Sequence, residues 1–253
     1  EVWVGLQLTH KPEWHTYWKN SGDSGLPTVL EWTLPVGVMA GDIAWPVPHK
    51  IRIGTLANYG FEGTLLLPVP LTIAPDFKPP LLASELEVKL HAVWLVCRQE
   101  CIPEEGDFVL KLPVKSSTGM HAAAFDAALA AQPTDLKARS QVRVQGADIQ
   151  VTVSDLPAAL RGQTLELFPE TPEITTPAAT ITQQWDGATW SATAPLTAMR
   201  SQSPTEMPLV LATATGQGFR TVADVQGEWP RTVAAPTISP ALEAALRANS
   251  AAS

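Results

Sequence analysis

The sequence predicts an all-β fold of two immunoglobulin-like β-sandwich domains joined by a short helical linker. Three observations carry that prediction. Twenty-three prolines and sixteen glycines among 253 residues interrupt the chain too often for long helices. Apolar/polar alternation recurs at roughly ten-residue intervals, the spacing of short antiparallel strands and their turns. A single alanine-rich stretch in mid-chain breaks this rhythm and separates two β-rich halves.

Composition bounds the rest. At 45% hydrophobic content the chain can fill one large core or two ordinary ones. A net charge of −8 excludes nucleic acid as a partner class, because phosphate binding needs a basic face. There is no run of eighteen apolar residues and no basic-then-apolar leader, so neither a membrane span nor a signal peptide is expected. Strand-like sequence from Val2 onward fits a mature or trimmed ectodomain.

The first domain is expected over 1–115. Glu1 to His10 alternates and forms a half-buried strand. Lys11 to Trp18 is an aromatic strand, closed by the Gly22-Asp-Ser-Gly25 turn cluster. Thr28–Leu34 and Gly41–Pro46 follow as short strands, with Trp32 and Trp45 as core fillers. Asn58-Tyr59-Gly60-Phe61-Glu62-Gly63 is expected as a loop whose rings either fold back on the sheet or cover a reactive site. Thr64–Ile73 is a further strand, and Pro-rich Ala74–Pro80 leads to the strand ending at Cys97.

The linker spans 116–137, with a helix from Met120 to Gln132 that Pro133 stops. The second domain, 138–232, is built from clean alternations at Gln141–Gln145, Ile149–Val153, Thr164–Phe168, Thr180–Trp185, Met207–Thr213 and Gly218–Val225. Asp186-Gly187 between Trp185 and Trp190 signals a hairpin. This half holds no cysteine and no histidine, hence no evident reactive group. The tail, 233–253, is expected as a helical turn or a disordered end.

Chemistry concentrates at Cys97-Arg98-Gln99-Glu100-Cys101, which holds the only two cysteines. They sit at the rim of a hairpin whose returning strand is expected at Phe108–Val114, with Pro103 halting regular pairing. Closing so small a ring removes little chain entropy, on the order of 2 kcal/mol against about 4.7 for a 100-residue loop. That is a poor place for a staple. Spacing alone nevertheless leaves a redox pair, a structural disulfide and a metal site all open. A copper or zinc site would need His15 or His91 beside the sulfurs, and the sequence does not place them there.

Three blocks in order resemble the N-terminal periplasmic region of DsbD-type membrane thiol-disulfide reductases: Trp14-His-Thr-Tyr-Trp-Lys-Asn20 with Gly22–Pro27, Asn58–Gly63, and Trp94–Pro103. The likeness is strongest to the ScsB branch, linked to suppression of copper sensitivity. The resemblance implies an immunoglobulin-like domain, and no cofactor or metal ligand is expected in it. It would relay electrons from the transmembrane and C-terminal domains of its own full-length protein to a soluble thioredoxin-like partner in the periplasm, making it a protein-disulfide reductase and an inner-membrane ectodomain.

Position by position, Cys97 and Cys101 match the family's redox pair. Cys101 stands where the partner-attacking cysteine lies, and Cys97 where the resolving one does. Asn58, Tyr59, Gly60 and Phe61 fall on the cap loop that shields the sulfurs, and His15 and Tyr17 match aromatic positions lining the site. One departure stands out: acidic residues commonly precede the cap aromatic in the DsbD branch, whereas this chain has Leu56-Ala57. Near the pair, Arg98 would favour a thiolate while Glu100, Glu104 and Glu105 would oppose it. The competing classes are a two-sandwich binding module with a structural disulfide and a copper-binding protein.

Overall fold

The computed structural model describes residues 2–78, 85–113 and 119–231, together with Ala241, Ala244 and Arg247. Nearly all of the expected tail, residues 116–118 of the linker and Pro79 and Pro80 of the Pro-rich lead-in lie outside the described residues. The described residues are mostly β, in an all-β, two-sandwich arrangement, with a short α-helix between the two β-rich halves.

Among the described residues of the first half, nine strands form three sheets of three. Strands β1 (Val2–Thr9), β7 (Thr64–Ile73) and β4 (Val38–Ala40) make one; β2 (Thr16–Gly22), β6 (Leu56–Phe61) and β5 (His49–Ile53) the second. The third orders β3 (Val29–Thr33), β8 (Glu85–Cys97) and β9 (Cys101–Pro113). Alternation decides which faces meet. Val4, Val69 and Leu71 of the first sheet pack on Val88, Leu30 and Trp32 of the third, and Leu6 packs beside Leu90 and Ala92.

Several elements differ from expectation. Gly41–Pro46 carries no strand. Its backbone follows β7 irregularly, with Gly41 N–H donating to Pro70 O and Ala44 N–H to Pro68 O. Asn58, Tyr59, Gly60 and Phe61 are not a loop but the last residues of β6, and all four are buried. The reason is steric and apolar together. Tyr59 and Phe61 alternate onto one face, while Gly60 lets β6 lie so close to β2 that a Cβ there would stand 2.0 Å from Thr16 O. Nor does Pro103 halt pairing: the β8–β9 ladder runs unbroken from Cys97↔Cys101 to Glu85↔Pro113. Proline is tolerated because β9 is an edge strand.

The helix α1 (Ala122–Ala130) has no side-chain N-cap, so packing rather than capping holds it. It lies on β7, with Phe125 near Gly5. Beyond it, β10 (Thr134–Asp135), β11 (Ser140–Gln145), β12 (Asp148–Val153), β13 (Glu166–Pro169), β14 (Thr182–Asp186), β15 (Thr189–Pro195), β16 (Glu206–Ala212) and β17 (Gly218–Gln226) form one continuous ladder. It curls around Val142, Val151, Trp190, Met207 and Leu211. The Asp186-Gly187 signal is a hairpin, Asp186 pairing with Thr189 and Gly187 at φ 58°.

The two halves share a core. Phe168 of β13 and Val210 and Ala212 of β16 pack with Trp18, Val47, Tyr59, Phe61, Leu65 and Leu67. Polar contacts rim it: Asn20 Nδ2 donates to Pro169 O at 2.8 Å, and Glu170 takes Lys19 Nζ at 2.6 Å and Arg220 Nε at 2.7 Å.

Candidate functional site

The site grows from the tip of the β8–β9 hairpin. Cys97 and Cys101 are register partners across the three-residue turn Arg98-Gln99-Glu100, with Cα atoms 4.1 Å apart, and they are disulfide-bonded. A tight turn brings the two sulfurs together without help from any other element. What surrounds each sulfur differs. Cys97 is only 2% exposed, whereas Cys101 is exposed at the start of the edge strand.

Cys97 is enclosed because His15, just before β2, takes up the side of β8 that β3 leaves open beyond its first pair, Val29 with Val93. His15 and Cys97 exchange both backbone hydrogen bonds, at 2.9 and 3.0 Å. Residues paired in this way project their side chains to one face, with Cβ atoms about 4.5–5.5 Å apart. Tyr17, two residues on, shares that face. Its ring meets His15 edge-on at 5.2 Å, and its hydroxyl lies 3.2 Å from His15 Nε2. Tyr17, His15, Cys97 and Cys101 therefore form a row from the protein interior to the solvent.

The loop after β2 closes over the inner end of this row. Gly25, at φ 92°, packs so tightly on the Tyr17 ring that a Cβ would stand 2.3 Å from its Cζ. Asn58 ties that loop down: its Oδ1 accepts from Ser24 N–H and Oγ, while Asp23 exchanges bonds with Ala57. The rings of Tyr59 and Phe61 turn the other way, into the shared core. Tyr59 meets Trp18 and Phe168, and Phe61 stacks on Trp45. The structure thus gathers His15, Tyr17, Cys97 and Cys101. Asn58 and Gly60 join them through β2 and its loop, and Tyr59 and Phe61 stand behind.

Electrostatics follow from burial. Desolvation lowers the pKa of His15, opposed by Glu62 and aided by His10, so the imidazole is neutral at ordinary pH. Desolvation likewise raises that of Tyr17, whose phenol stays protonated. Arg98 does not sit free beside the sulfurs: it lies 6.0 Å over the Trp14 ring and pairs with Glu13 at 3.4 Å. Glu104 Oε2 accepts from Trp94 Nε1. His91 is far down β8, about 20 Å from Cys97 at 3.3 Å per residue, where it pairs with Asp107 at 2.7 Å. Of the two histidines considered beside the sulfurs, only His15 is there. Among the described residues, no group of three His, Cys, Asp or Glu is placed to hold a metal.

Sequence reasoning found the pair and its two aromatic neighbours but missed the Asp23–Gly25 loop as part of the site. The Gly-Asp-Ser-Gly cluster was its signal, legible as a turn but not as a cover. It also gave no hint that Phe168, 109 positions beyond Tyr59, would share its core.

Residues 1–113 match the family model described as thiol:disulfide interchange protein DsbD, N-terminal. The whole fold is similar to the crystal structure of the N-terminal periplasmic domain of ScsB from Proteus mirabilis, with a TM-score of 0.64 at 15% identity, covering 89% of this chain and 88% of that one. At that identity the likeness concerns the fold. No curated protein matches the chain.

Proposed function

From the match of residues 1–113 to the DsbD N-terminal family as premise, we propose that this chain is a thiol–disulfide exchange module working through Cys97 and Cys101. The observation that carries it is the unequal exposure of the two bonded cysteines: Cys97 is buried and Cys101 exposed. A staple has no use for that asymmetry; an exchange reaction does. An exposed thiolate can reach a partner's disulfide, and a buried neighbour can then displace the partner without competing for it.

In the reduced protein, the Cys101 thiolate attacks one sulfur of the partner's disulfide and releases the other as a thiolate. Cys97 then attacks Cys101 Sγ, forming the Cys97–Cys101 bond and expelling the partner's remaining sulfur. Two electrons leave the pair, and one disulfide is reduced for one formed. The partner is a soluble thioredoxin-like protein. Electrons return from transmembrane and C-terminal domains of the same full-length polypeptide, which places the chain in the periplasm as an ectodomain of an inner-membrane protein.

Shielding of the pair rests on the Tyr17–His15 row and the Asp23–Gly25 loop above it. Asn58, Tyr59, Gly60 and Phe61 serve it from behind, by seating β2 and holding that loop. A docking partner must reach only the outer end of the row, at Cys101.

The test is capture. A reduced Cys97→Ala variant, offered an oxidised thioredoxin-fold protein, should accumulate a mixed disulfide through Cys101, whereas Cys101→Ala should transfer nothing. Full transfer by Cys101→Ala would remove the assignment. Inertness of the unaltered pair toward every reductant would leave a two-sandwich binding module with a structural bridge.

A further inference from the structure

We propose that His15 is the proton acceptor for Cys97 in the second half of the exchange, an inference that rests on the redox role given to the pair above. Cys97 must lose a proton before it can attack, and its surroundings restrict where that proton can go. At 2% exposure it has almost no bulk water, and the turn residue Arg98 is engaged by Trp14 and Glu13. The side chain that shares its face across the reciprocal backbone bonds is His15, itself 1% exposed.

The ring is held for the task. Tyr17 fixes it by edge contact and by the 3.2 Å approach of its hydroxyl to Nε2, so the ring cannot swing away. Among the described residues that is its one hydrogen bond, and Nδ1 remains uncommitted. The charged and titratable groups around it are few. Tyr17 stays a neutral phenol, Glu62 from the β6–β7 turn favours an imidazolium, and His10 at the end of β1 disfavours one. The balance leaves His15 neutral, able to accept, with Glu62 to steady the cation once formed.

The step balances. The Cys97 thiol gives its proton to His15 as its sulfur attacks Cys101 Sγ, and the bond between Cys101 and the partner breaks. The partner leaves as a thiolate, which takes the proton from the imidazolium directly or through solvent. No external oxidant is required beyond the partner's disulfide.

The test uses the reduced protein and a nitrobenzoate disulfide, which releases one coloured thiolate when Cys101 attacks and a second when Cys97 resolves. His15→Gln, which preserves hydrogen bonding to Tyr17 but cannot titrate, should leave the first phase unchanged and slow the second by about 10²-fold. In the unaltered protein the second phase should lose rate at low pH with an inflection below 6.5, and His15→Gln should lack that inflection. Equal second phases with equal pH profiles overturn the role of His15. If His15→Gln does not fold, absence of the low-pH inflection in the unaltered protein does so. Release of neither thiolate by the unaltered protein overturns the exchange reading itself, and this inference with it.

Discussion

Tyr59 of the first sandwich and Phe168 of the second meet edge to face, their centroids 5.0 Å apart and their planes at 79°. Trp18 touches both, so three aromatic rings from two halves of the chain form one cluster. Each such ring buries on the order of 150–250 Å², and edge-to-face pairs add about 0.5–1.5 kcal/mol beyond area. The strand that backs the reactive row is thus seated on the second sandwich, which otherwise holds no reactive group.

Phe168→Ala should therefore cost about 3–5 kcal/mol, the usual range for deleting a buried aromatic ring. Urea denaturation followed by tryptophan fluorescence should change from one transition to two as the halves lose their common core. A variant that keeps one transition with an unshifted midpoint would show that the halves do not depend on this contact.

Asn58→Ala removes the acceptor that both Ser24 donors use. The Asp23–Gly25 loop should then lift from Tyr17, and alkylation of Cys97 in the reduced protein should accelerate at least about tenfold, one decade corresponding to about 1.4 kcal/mol of lost cover. Gly25→Ala should act in the same direction, since a Cβ cannot fit against the Tyr17 ring. Mass spectrometry of the alkylated cysteines at timed intervals gives the rates, and rates equal to the parent's would take the loop out of the shielding.

Glu170 links the halves from the polar side. Burial alone would raise its pKa, but the hydrogen bonds and charges of Arg220 and Lys19 outweigh it, and the net shift is downward from 4.5. A carboxyl depressed in the folded state contributes stability above its unfolded pKa and loses it as pH falls through the folded value. Stability should accordingly drop below about pH 4.5, and Glu170→Gln should flatten that drop while costing roughly 1.5–3 kcal/mol near neutrality. Urea midpoints across pH 3–7 for both proteins check it.

Much of this was legible in the residues, for identifiable reasons. The cysteine hairpin could be read because strand alternation up to Val96 and a polar triplet between the sulfurs are local signals. So were β11, β12 and β17, where buried and more exposed residues alternate. Residues 56–61 were not, because β6 is buried on both faces and a Gly between two aromatics looks like a turn; only the approach of Thr16 O explains that glycine. Whether Cys97 is sealed depends on His15, 82 residues earlier, and no local pattern encodes such a pairing. The Tyr59–Phe168 contact is longer still in range, and alternation announces an apolar face without naming what covers it.

Strand β9 runs thirteen residues as the outermost member of its sheet, and Ile102, Phe108, Val109 and Leu110 on it are all exposed. A bare rim of that length, open to stray ladders, would ordinarily drive copies of a protein to zip into ribbons. Here Glu104, Glu105 and Asp107 are spaced along it, so two identical rims brought together repel. The molecule can hold its reactive tip out to a stranger while remaining unsociable toward its own kind.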